Sequence, residues 1–171
     1  MELLIIRHGD AVDDAPGLGD GGRWLTGKGR KQTRAVGKWL AESDKRTPVE
    51  IWTSPLVRAV QTAEIIAEAA GLEDAVSVHP ALATHGDPRT VLRALANHRP
   101  HKHGPLALVG HEPSLSLMAE QLLGEIGWPG FKKSGVLALS WTGDGPATFR
   151  YVLHPKHLRV IDKLEDLGDT G

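Results

Sequence analysis

The 171-residue sequence predicts a single α/β domain whose mostly parallel central sheet is flanked by helices. Two observations predict this fold class: short apolar runs alternate along the chain with segments of helical period, and no low-complexity linker or composition shift divides the sequence. A chain of this length can bury a substantial core. We therefore expect residues 1–171 to form one domain, with a core over about 2–154 and a C-terminal tail over 155–171.

The first two strand–helix units lie in the N-terminal third of the chain. Leu3 to Ile6 form the first predicted strand, and a long loop rich in glycine and aspartate leads to a helix from about Thr26. The second strand, Val49 to Thr53, runs into Ser54-Pro55. Serine at the N-cap and proline at the first helical position are typical of a helix start, so we expect the second helix to begin there.

Two further units follow. A weaker strand near Val76 to Val78 precedes Asp87-Pro88, which repeats the pattern of a capping residue followed by proline. The run Leu106 to Val109 is the last strand of this type, and a helix is expected from Pro113. Together the four units predict parallel strands joined by helices.

The C-terminal region carries a different pattern. Two apolar runs, Val136 to Trp141 and Thr148 to Leu153, flank a loop rich in glycine and proline and predict a hairpin at the edge of the sheet. The tail from His157 to Leu167 spaces its apolar residues helically, so we expect a helix that packs on the domain.

Composition excludes several classes of function. Lys and Arg total 20 against 21 Asp and Glu, so no basic surplus favours a nucleic-acid partner. The absence of cysteine excludes disulfides, thiolate metal sites and cysteine nucleophiles. No apolar stretch approaches the length of a membrane span, and the N-terminus lacks the features of a signal peptide. We therefore expect a cytoplasmic protein with no membrane partner.

Basic residues lie where the predicted strands end. Arg7, His8 and Gly9 end the first strand, Arg58 lies in the first turn of the helix after the second strand, and His111 follows the Leu106 run. Because the carboxyl ends of parallel strands meet at one edge of a sheet, we expect these side chains to converge. Glycine permits close backbone approach, and nearby helix N-termini favour an anion. The implied ligand is a phosphate.

These segments resemble the signature segments of the histidine phosphatase superfamily, which has the phosphoglycerate-mutase-like fold. The resemblance extends from Leu3 to about Leu153, and the segments occur in the family's order. The short length of the chain makes it most similar to the SixA-type phosphohistidine phosphatases. The segments that carry the resemblance are Arg7-His8-Gly9-Asp10-Ala11, Leu25-Thr26-x-x-Gly29-x-x-Gln32, Ser54 to Ala63, Gly86-Asp87 and Val109-Gly110-His111-Glu112.

The resemblance implies a role for each basic residue. His8 becomes the nucleophile that carries a covalent phosphoryl group, and Arg7, Arg58 and His111 become phosphate ligands, with Gly9 also in the phosphate site. No metal ion and no other cofactor is implied. The chemistry agrees, because a neutral imidazole can attack phosphorus near pH 7 and a guanidinium fork matches two phosphoryl oxygens.

One segment departs from the family's pattern. Many members have a glutamate that acts as general acid two residues after a leucine, but here Thr84 follows Leu82 at that spacing. Asp87, His85 and Asp10 are the candidates for a replacement proton donor or for the rim of the pocket. Without a general acid, substrates whose leaving group departs easily are favoured, and phosphohistidine is one of them.

The sequence therefore predicts a metal-independent phosphatase of SixA type that acts on phosphohistidine, with a phosphohistidine protein as the expected partner. A phosphatase for small-molecule phosphate esters and a catalytically weak phosphoprotein-binding module stay open as alternatives, and the oligomeric state is open. His101-Lys102-His103 could suggest a metal site, but no third ligand is implied, so we predict none. The acidic loop after His8 is a candidate rim of the site.

Overall fold

One seven-stranded mixed sheet, in the order β3-β2-β4-β1-β5-β6-β7, forms the centre of the molecule in the computed structural model. The structure describes residues 1–14, 16–72, 74–99 and 104–169. The strands are β1 Glu2–Arg7, β2 Glu50–Thr53, β3 Val76–Val78, β4 Leu106–Gly110, β5 Val136–Ser140, β6 Thr148–His154 and β7 Arg159–Ile161. The helices are α1 Gly19–Gly22, α2 Gly27–Ala41, α3 Val57–Ala70, α4 Pro88–Asn97 and α5 Ser114–Leu123. The fold class predicted from the sequence is confirmed.

The four strands at one end of the sheet are parallel, and the three at the other end are antiparallel. Successive residues of β1 point to opposite faces, so Leu3 and Ile5 pack with α4 and α5, whereas Leu4 and Ile6 pack with α2 and α3. Each of the four is at most 2% exposed. Burial on both faces explains why this strand reads as a continuous apolar run.

Two predicted helix starts are confirmed. Thr26 caps α2, since its Oγ1 accepts a hydrogen bond from the Gly29 N–H at 2.9 Å. Asp87 caps α4 by accepting from the Arg89 N–H at 2.9 Å, and Pro88 is the first helical residue. These two caps fix the residues at which α2 and α4 begin.

The predicted start of α3 at Ser54-Pro55 is wrong by two residues. The helix begins at Val57, and its N-cap is Leu56. The Ser54 hydroxyl accepts from the Leu56 N–H at 3.2 Å and pairs with His111 Nε2 at 2.7 Å. Ser54 therefore organises the loop before the helix and a side chain of the site, so it does not cap the helix.

The prediction of a helical tail is also wrong. Residues Arg159–Ile161 form β7, which pairs antiparallel with β6, and the tail otherwise consists of short 3₁₀ turns over Lys156–Leu158 and Leu164–Asp169. The predicted hairpin of β5 and β6 is present, but β7 forms the edge of the sheet. Ile161 and Leu167 are buried, so the tail packs on the domain as expected. Within the described ranges, no helix has the length and apolarity needed to cross a membrane.

Candidate active site

The site lies at the carboxyl ends of three adjacent parallel strands, β2, β4 and β1. Arg7, the last residue of β1, is in register with Gly110, the last residue of β4, and Thr53 at the end of β2 is in register with Val109. The segments that follow these strands bring His8, Arg58 in the first turn of α3, and His111 to the same place, and all three are at most 7% exposed. Sheet topology therefore produces the convergence that the sequence predicts.

The two ring nitrogens of His8 have different partners. Nδ1 lies 2.7 Å from the Gly9 carbonyl oxygen, which can only accept, so Nδ1 carries the proton. Nε2 lies 3.3 Å from Nε of Arg58, which can only donate, so Nε2 presents its lone pair. The tautomer is thus fixed with the unprotonated nitrogen facing the guanidinium. Nε2 is the nitrogen of His8 that can attack an electrophile.

Backbone geometry around Gly9 is set by a buried hydroxyl. The Gly9 N–H donates to Oγ1 of Thr62 at 3.0 Å, and that hydroxyl donates to the Arg58 carbonyl at 2.7 Å. A Cβ on Gly9 would lie 2.6 Å from Oγ1 of Thr33, so no larger residue fits. The sequence predicts that Gly9 lies in the phosphate site, and in the structure its N–H donates to Thr62 while its carbonyl accepts from the His8 ring.

Arg58 is 3% exposed, and all of its donor nitrogens are engaged. Besides the contact of Nε with His8, Nη1 donates to the carbonyl of Asp20 at 2.6 Å and Nη2 donates to Oδ2 of Asp20 at 3.0 Å. Arg23 holds the other carboxylate oxygen of Asp20 at 3.0 Å. The hydrogen bonds from Arg58 and Arg23 hold the pKa of Asp20 below its ordinary value.

His111 faces His8 across the site, with ring centroids 5.0 Å apart. Its Nε2 is paired with the Ser54 hydroxyl, whereas its Nδ1 is buried and has no partner among the described residues. The Ser54 hydroxyl accepts from a backbone N–H and has its own proton to donate to Nε2; in that arrangement Nδ1 of the neutral His111 ring carries the proton and is a donor. A buried donor without a partner indicates a place for a ligand acceptor.

Burial and neighbouring cations keep both histidines neutral. Burial is the largest cause that lowers the pKa of His8 to about 4, and the positive charges of Arg58, Arg7 and Arg23 act in the same direction. The pKa of His111 is lowered to about 3, first by burial and then by His8 and Arg58. Near pH 7 the His8 lone pair is therefore free, and the remaining positive charge of the site resides on its arginines.

Arg7 is held by a loop distant in sequence. Its Nη1 donates to the Phe131 carbonyl at 2.7 Å, and its Nε is buried with no partner in the described part of the chain. The Phe131 N–H in turn donates to the Glu112 carboxylate at 2.6 Å. Glu112 follows His111 directly, so its carboxylate connects Phe131, which holds Arg7, to the loop that carries His111.

The three predicted proton donors or rim residues have other contacts. Asp10 binds the Thr26 hydroxyl and the Lys133 ammonium, and the Lys133 hydrogen bond is the main cause that lowers its pKa. Asp87 caps α4, and both it and His85 are exposed. Among the described residues, none of these three side chains hydrogen-bonds to Arg7, His8, Arg58 or His111. The Thr84 carbonyl accepts from Oγ of Ser114, the first residue of α5, at 3.4 Å.

No group of three metal-ligating side chains occurs within the ranges that the structure describes. The segment His101-Lys102-His103, which the sequence analysis considered and set aside as a metal site, lies outside those ranges.

Several residues that shape the site escape sequence reasoning from the strand ends. Asp20 belongs to the acidic loop that the sequence predicts as a rim of the site, but its contact with Arg58 is not predicted, and nothing in the sequence signals a role for Arg23. Thr62 lies one turn after Arg58 on α3, so the helical spacing places it beside the arginine. The Ser54-Pro55 pattern predicts a capping role for Ser54, although the position of Ser54 immediately after β2 also indicates a residue of the site.

A basic groove opens beside Arg7. We use this term for the depression lined by Arg7, Lys28, Lys132, Lys133 and Lys156, in which Asp10 is the one acidic side chain among the described lining residues. The four lysines are exposed, and only Lys133 has an ion-pair partner within the described part of the chain. Five cations against one anion contrast with a net charge of -1 for the whole chain.

The fold and the site together define a phosphatase of the α/β class with a histidine at its centre. The family described as the histidine phosphatase superfamily (branch 1) matches residues 3–84. Over 164 residues the chain is 31% identical to the phosphohistidine phosphatase SixA of Escherichia coli (strain K12), with 94% of this chain and 98% of that protein covered. The chain belongs to the histidine phosphatase superfamily.

Two further proteins are similar to this chain. An uncharacterized protein of Picosynechococcus sp. is 40% identical over 141 residues, which cover 81% of this chain and 84% of that protein. The solved structure of the protein histidine phosphatase SixA complexed with tungstate has a TM-score of 0.81 and 28% identity, with 93% of this chain and all of that chain covered. The resemblance noted in the sequence is therefore confirmed at the level of both sequence and fold.

Proposed function

We propose that this chain is a metal-independent phosphohistidine phosphatase of SixA type that works through a covalent phosphohistidine on His8. The observation that carries the proposal is the arrangement around His8: Nδ1–H is bound to the Gly9 carbonyl, and the unprotonated Nε2 accepts a hydrogen bond from Nε of Arg58, which has to release this lone pair as the phosphoryl group binds. A nucleophile with a fixed tautomer and an adjacent cation is what phosphoryl transfer to histidine requires.

The proposed reaction has two steps. In the first, Nε2 of His8 forms a bond to phosphorus while the bond from phosphorus to the leaving group breaks, and the leaving group takes that electron pair. In the second, the oxygen of a water molecule forms a bond to phosphorus while the N–P bond breaks and its electron pair returns to Nε2; one proton of the water stays on the inorganic phosphate and the other passes to solvent. Arg58 and Arg7 hold the equatorial oxygens, where the negative charge of a loose transition state resides. We assign the role of a further, uncharged donor to the buried Nδ1 of His111, which has no partner among the described residues.

The leaving group decides which substrates this chemistry suits. Thr84 stands where many family members have a glutamate, and Asp10, His85 and Asp87 make their contacts away from the four central residues. A substrate therefore has to leave with little help from the enzyme. A phosphorylated imidazole can carry its own proton near neutral pH and depart as neutral histidine, whereas an alkyl ester must expel a strongly basic alkoxide.

The basic groove favours a protein over a small ester as the source of that phosphohistidine. A groove with five cations attracts a partner that carries negative charge beyond the phosphoryl group itself. A protein with an acidic surface around its phosphorylated residue is such a partner. The E. coli relative is named a phosphohistidine phosphatase. We infer that the groove receives the protein surface next to the phosphohistidine.

The nucleophile is tested by trapping the intermediate. Brief mixing with radiolabelled phosphohistidine or an aryl phosphate should leave an acid-labile, base-stable label on His8, and His8→Ala should lose both label and turnover. Activity should survive exhaustive chelation. A His8→Ala variant that keeps more than a few per cent of activity, or strict dependence on a divalent ion, would refute the proposal.

The substrate class is tested by comparing kcat/KM under one set of conditions. A phosphohistidine protein with an acidic surface and an aryl phosphate should be turned over orders of magnitude faster than phosphoserine. Lys132→Glu should raise KM for the acidic protein about tenfold while leaving the aryl phosphate within about twofold, because rim charges affect association with charged partners. Lys45→Glu, on the α2–β2 loop outside the groove, is the matched control. Equal rates for phosphoserine and phosphohistidine would favour a general ester phosphatase.

A further inference from the structure

Asp20 occupies the part of Arg58 that a phosphoryl group needs. An arginine grips two oxygens through one of its edges, either Nε with Nη2 or Nη1 with Nη2. In the structure Nη2 is bound to Oδ2 of Asp20 at 3.0 Å and Nη1 to the Asp20 carbonyl at 2.6 Å. Nε and Nη2 lie on the same edge, so the carboxylate oxygen is next to the nitrogen that contacts His8. The Asp20 carboxylate therefore stands where a phosphoryl oxygen would bind.

The segment that carries Asp20 is built to move without disturbing the core. The helix α1, which contains Asp20, has no buried residue. Gly17 and Gly19 have φ values of +84° and +68°, so the backbone on the N-terminal side of Asp20 uses conformations in which glycine is favoured. The Asp20 side chain is 48% exposed, whereas the Arg58 side chain is 3% exposed. Of the two partners, Asp20 is the one that can leave.

Arg23 provides an alternative partner for the displaced carboxylate. Its Nη1 already binds Oδ1 of Asp20 at 3.0 Å, and its Nε is anchored on the Val12 carbonyl at 2.7 Å. A carboxylate that loses Arg58 therefore keeps one charged hydrogen bond. Displacement breaks the contacts of Arg58 with Asp20 and leaves the carboxylate paired with Arg23.

We propose that the Asp20 carboxylate is an internal ligand of Arg58, which the substrate phosphoryl group displaces on binding and which returns to Arg58 as product phosphate leaves. The proposal rests on the phosphate-binding role of Arg58 in the proposed function. It makes Asp20 a positioning residue with two effects. It weakens the binding of every oxyanion, and it prevents inorganic phosphate from remaining on Arg58 after turnover.

Asp20→Asn is the test, because it removes the charge and keeps the size of the side chain. The dissociation constants of inorganic phosphate and of tungstate, measured by titration calorimetry, should fall about tenfold, which is intermediate between the effect of breaking an exposed ion pair and that of breaking a buried one. With an aryl phosphate, KM should fall, kcat should not rise, and product inhibition by phosphate should strengthen about tenfold. Asp13→Asn, an exposed residue of the same loop, is the matched control and should change the phosphate dissociation constant less than twofold.

The outcomes separate this inference from the proposed function. If the wild-type protein binds phosphate and hydrolyses the aryl phosphate, but Asp20→Asn leaves oxyanion affinity unchanged, the displacement idea is wrong and the function stands. Weaker oxyanion binding in Asp20→Asn would also overturn it, because Asp20 would then be needed to orient Arg58. If wild-type protein shows neither phosphate binding nor turnover, it is the proposed function that fails.

Discussion

Thr62 offers a sensitive test of how the nucleophile is oriented. Its side chain is fully buried, and Oγ1 links the Gly9 N–H to the Arg58 carbonyl. Thr62→Val replaces the hydroxyl by a methyl group of similar size and leaves the Gly9 N–H buried without an acceptor, at a cost of about 1–3 kcal/mol. The Arg58 carbonyl keeps its helical hydrogen bond inside α3, so the penalty comes mainly from one N–H group. For a domain of this length, each 1 kcal/mol lowers Tm by about 2–4 °C.

Activity should fall by more than the loss of stability alone explains. Gly9 supplies the carbonyl that fixes the His8 tautomer, so a shift of this backbone misorients Nε2 and should cost about 10–100-fold in kcat with little change in KM. Urea unfolding and steady-state kinetics with an aryl phosphate measure the two effects on one preparation. Thr62→Ser keeps the hydroxyl and should retain most of kcat. A Thr62→Val protein with wild-type kcat would refute the idea that this hydroxyl positions the nucleophile.

Three further predictions concern protonation, the clamp and the fold. Because the pKa of His8 is lowered to about 4, the nucleophile stays neutral as pH falls from 8 to 5. The value of kcat/KM, corrected for substrate ionisation, should therefore decline only near pH 4. A tenfold loss by pH 5.5 would instead indicate the ordinary histidine pKa of about 6.5. Arg58→Lys should reduce kcat/KM by at least about 100-fold, since an ammonium cannot form the bidentate contact; retention of more than a tenth of activity would contradict this. Gly29→Ala should lower the free energy of unfolding in urea by more than about 2 kcal/mol, because its Cβ would lie 2.1 Å from the Asp10 carbonyl oxygen. Gly27→Ala is the control: it has open space around its Cβ and should be neutral or stabilising.

The sequence predicts the parts of the fold that local patterns determine. The strands β1, β2 and β4 are short apolar runs because they are buried on both faces, and such runs can be recognised in the amino-acid sequence alone. Asp87-Pro88 begins a helix as expected, because its cap depends only on residues that follow directly. Convergence of His8, Arg58 and His111 follows from parallel topology alone. These predictions succeed because each depends on local order or on one general rule of sheet architecture.

The sequence-based predictions fail where contacts with distant residues override a local sequence pattern. Ser54-Pro55 has the pattern of a helix start, but His111, 57 positions away, takes the serine hydroxyl. The three residues of β7 are too few for periodicity to separate strand from helix, and pairing with β6 decides the outcome. The contact of Asp20 with Arg58 joins residues 38 positions apart through an irregular loop. No local pattern encodes such a contact.

The order of the strands constrains how the molecule can be assembled. β4 lies between β1 and β2 in the sheet, although it is the last of the three to be synthesised. Until β4 inserts, β1 and β2 have no common hydrogen-bonded neighbour, and His8 and Arg58 have no sheet to hold them together. A nascent chain that ends before residue 104 therefore exposes two apolar strand edges and has no active site. The site is complete only when β4, which is followed directly by His111, has been inserted and the later segment around Phe131, which holds Arg7, is also in place.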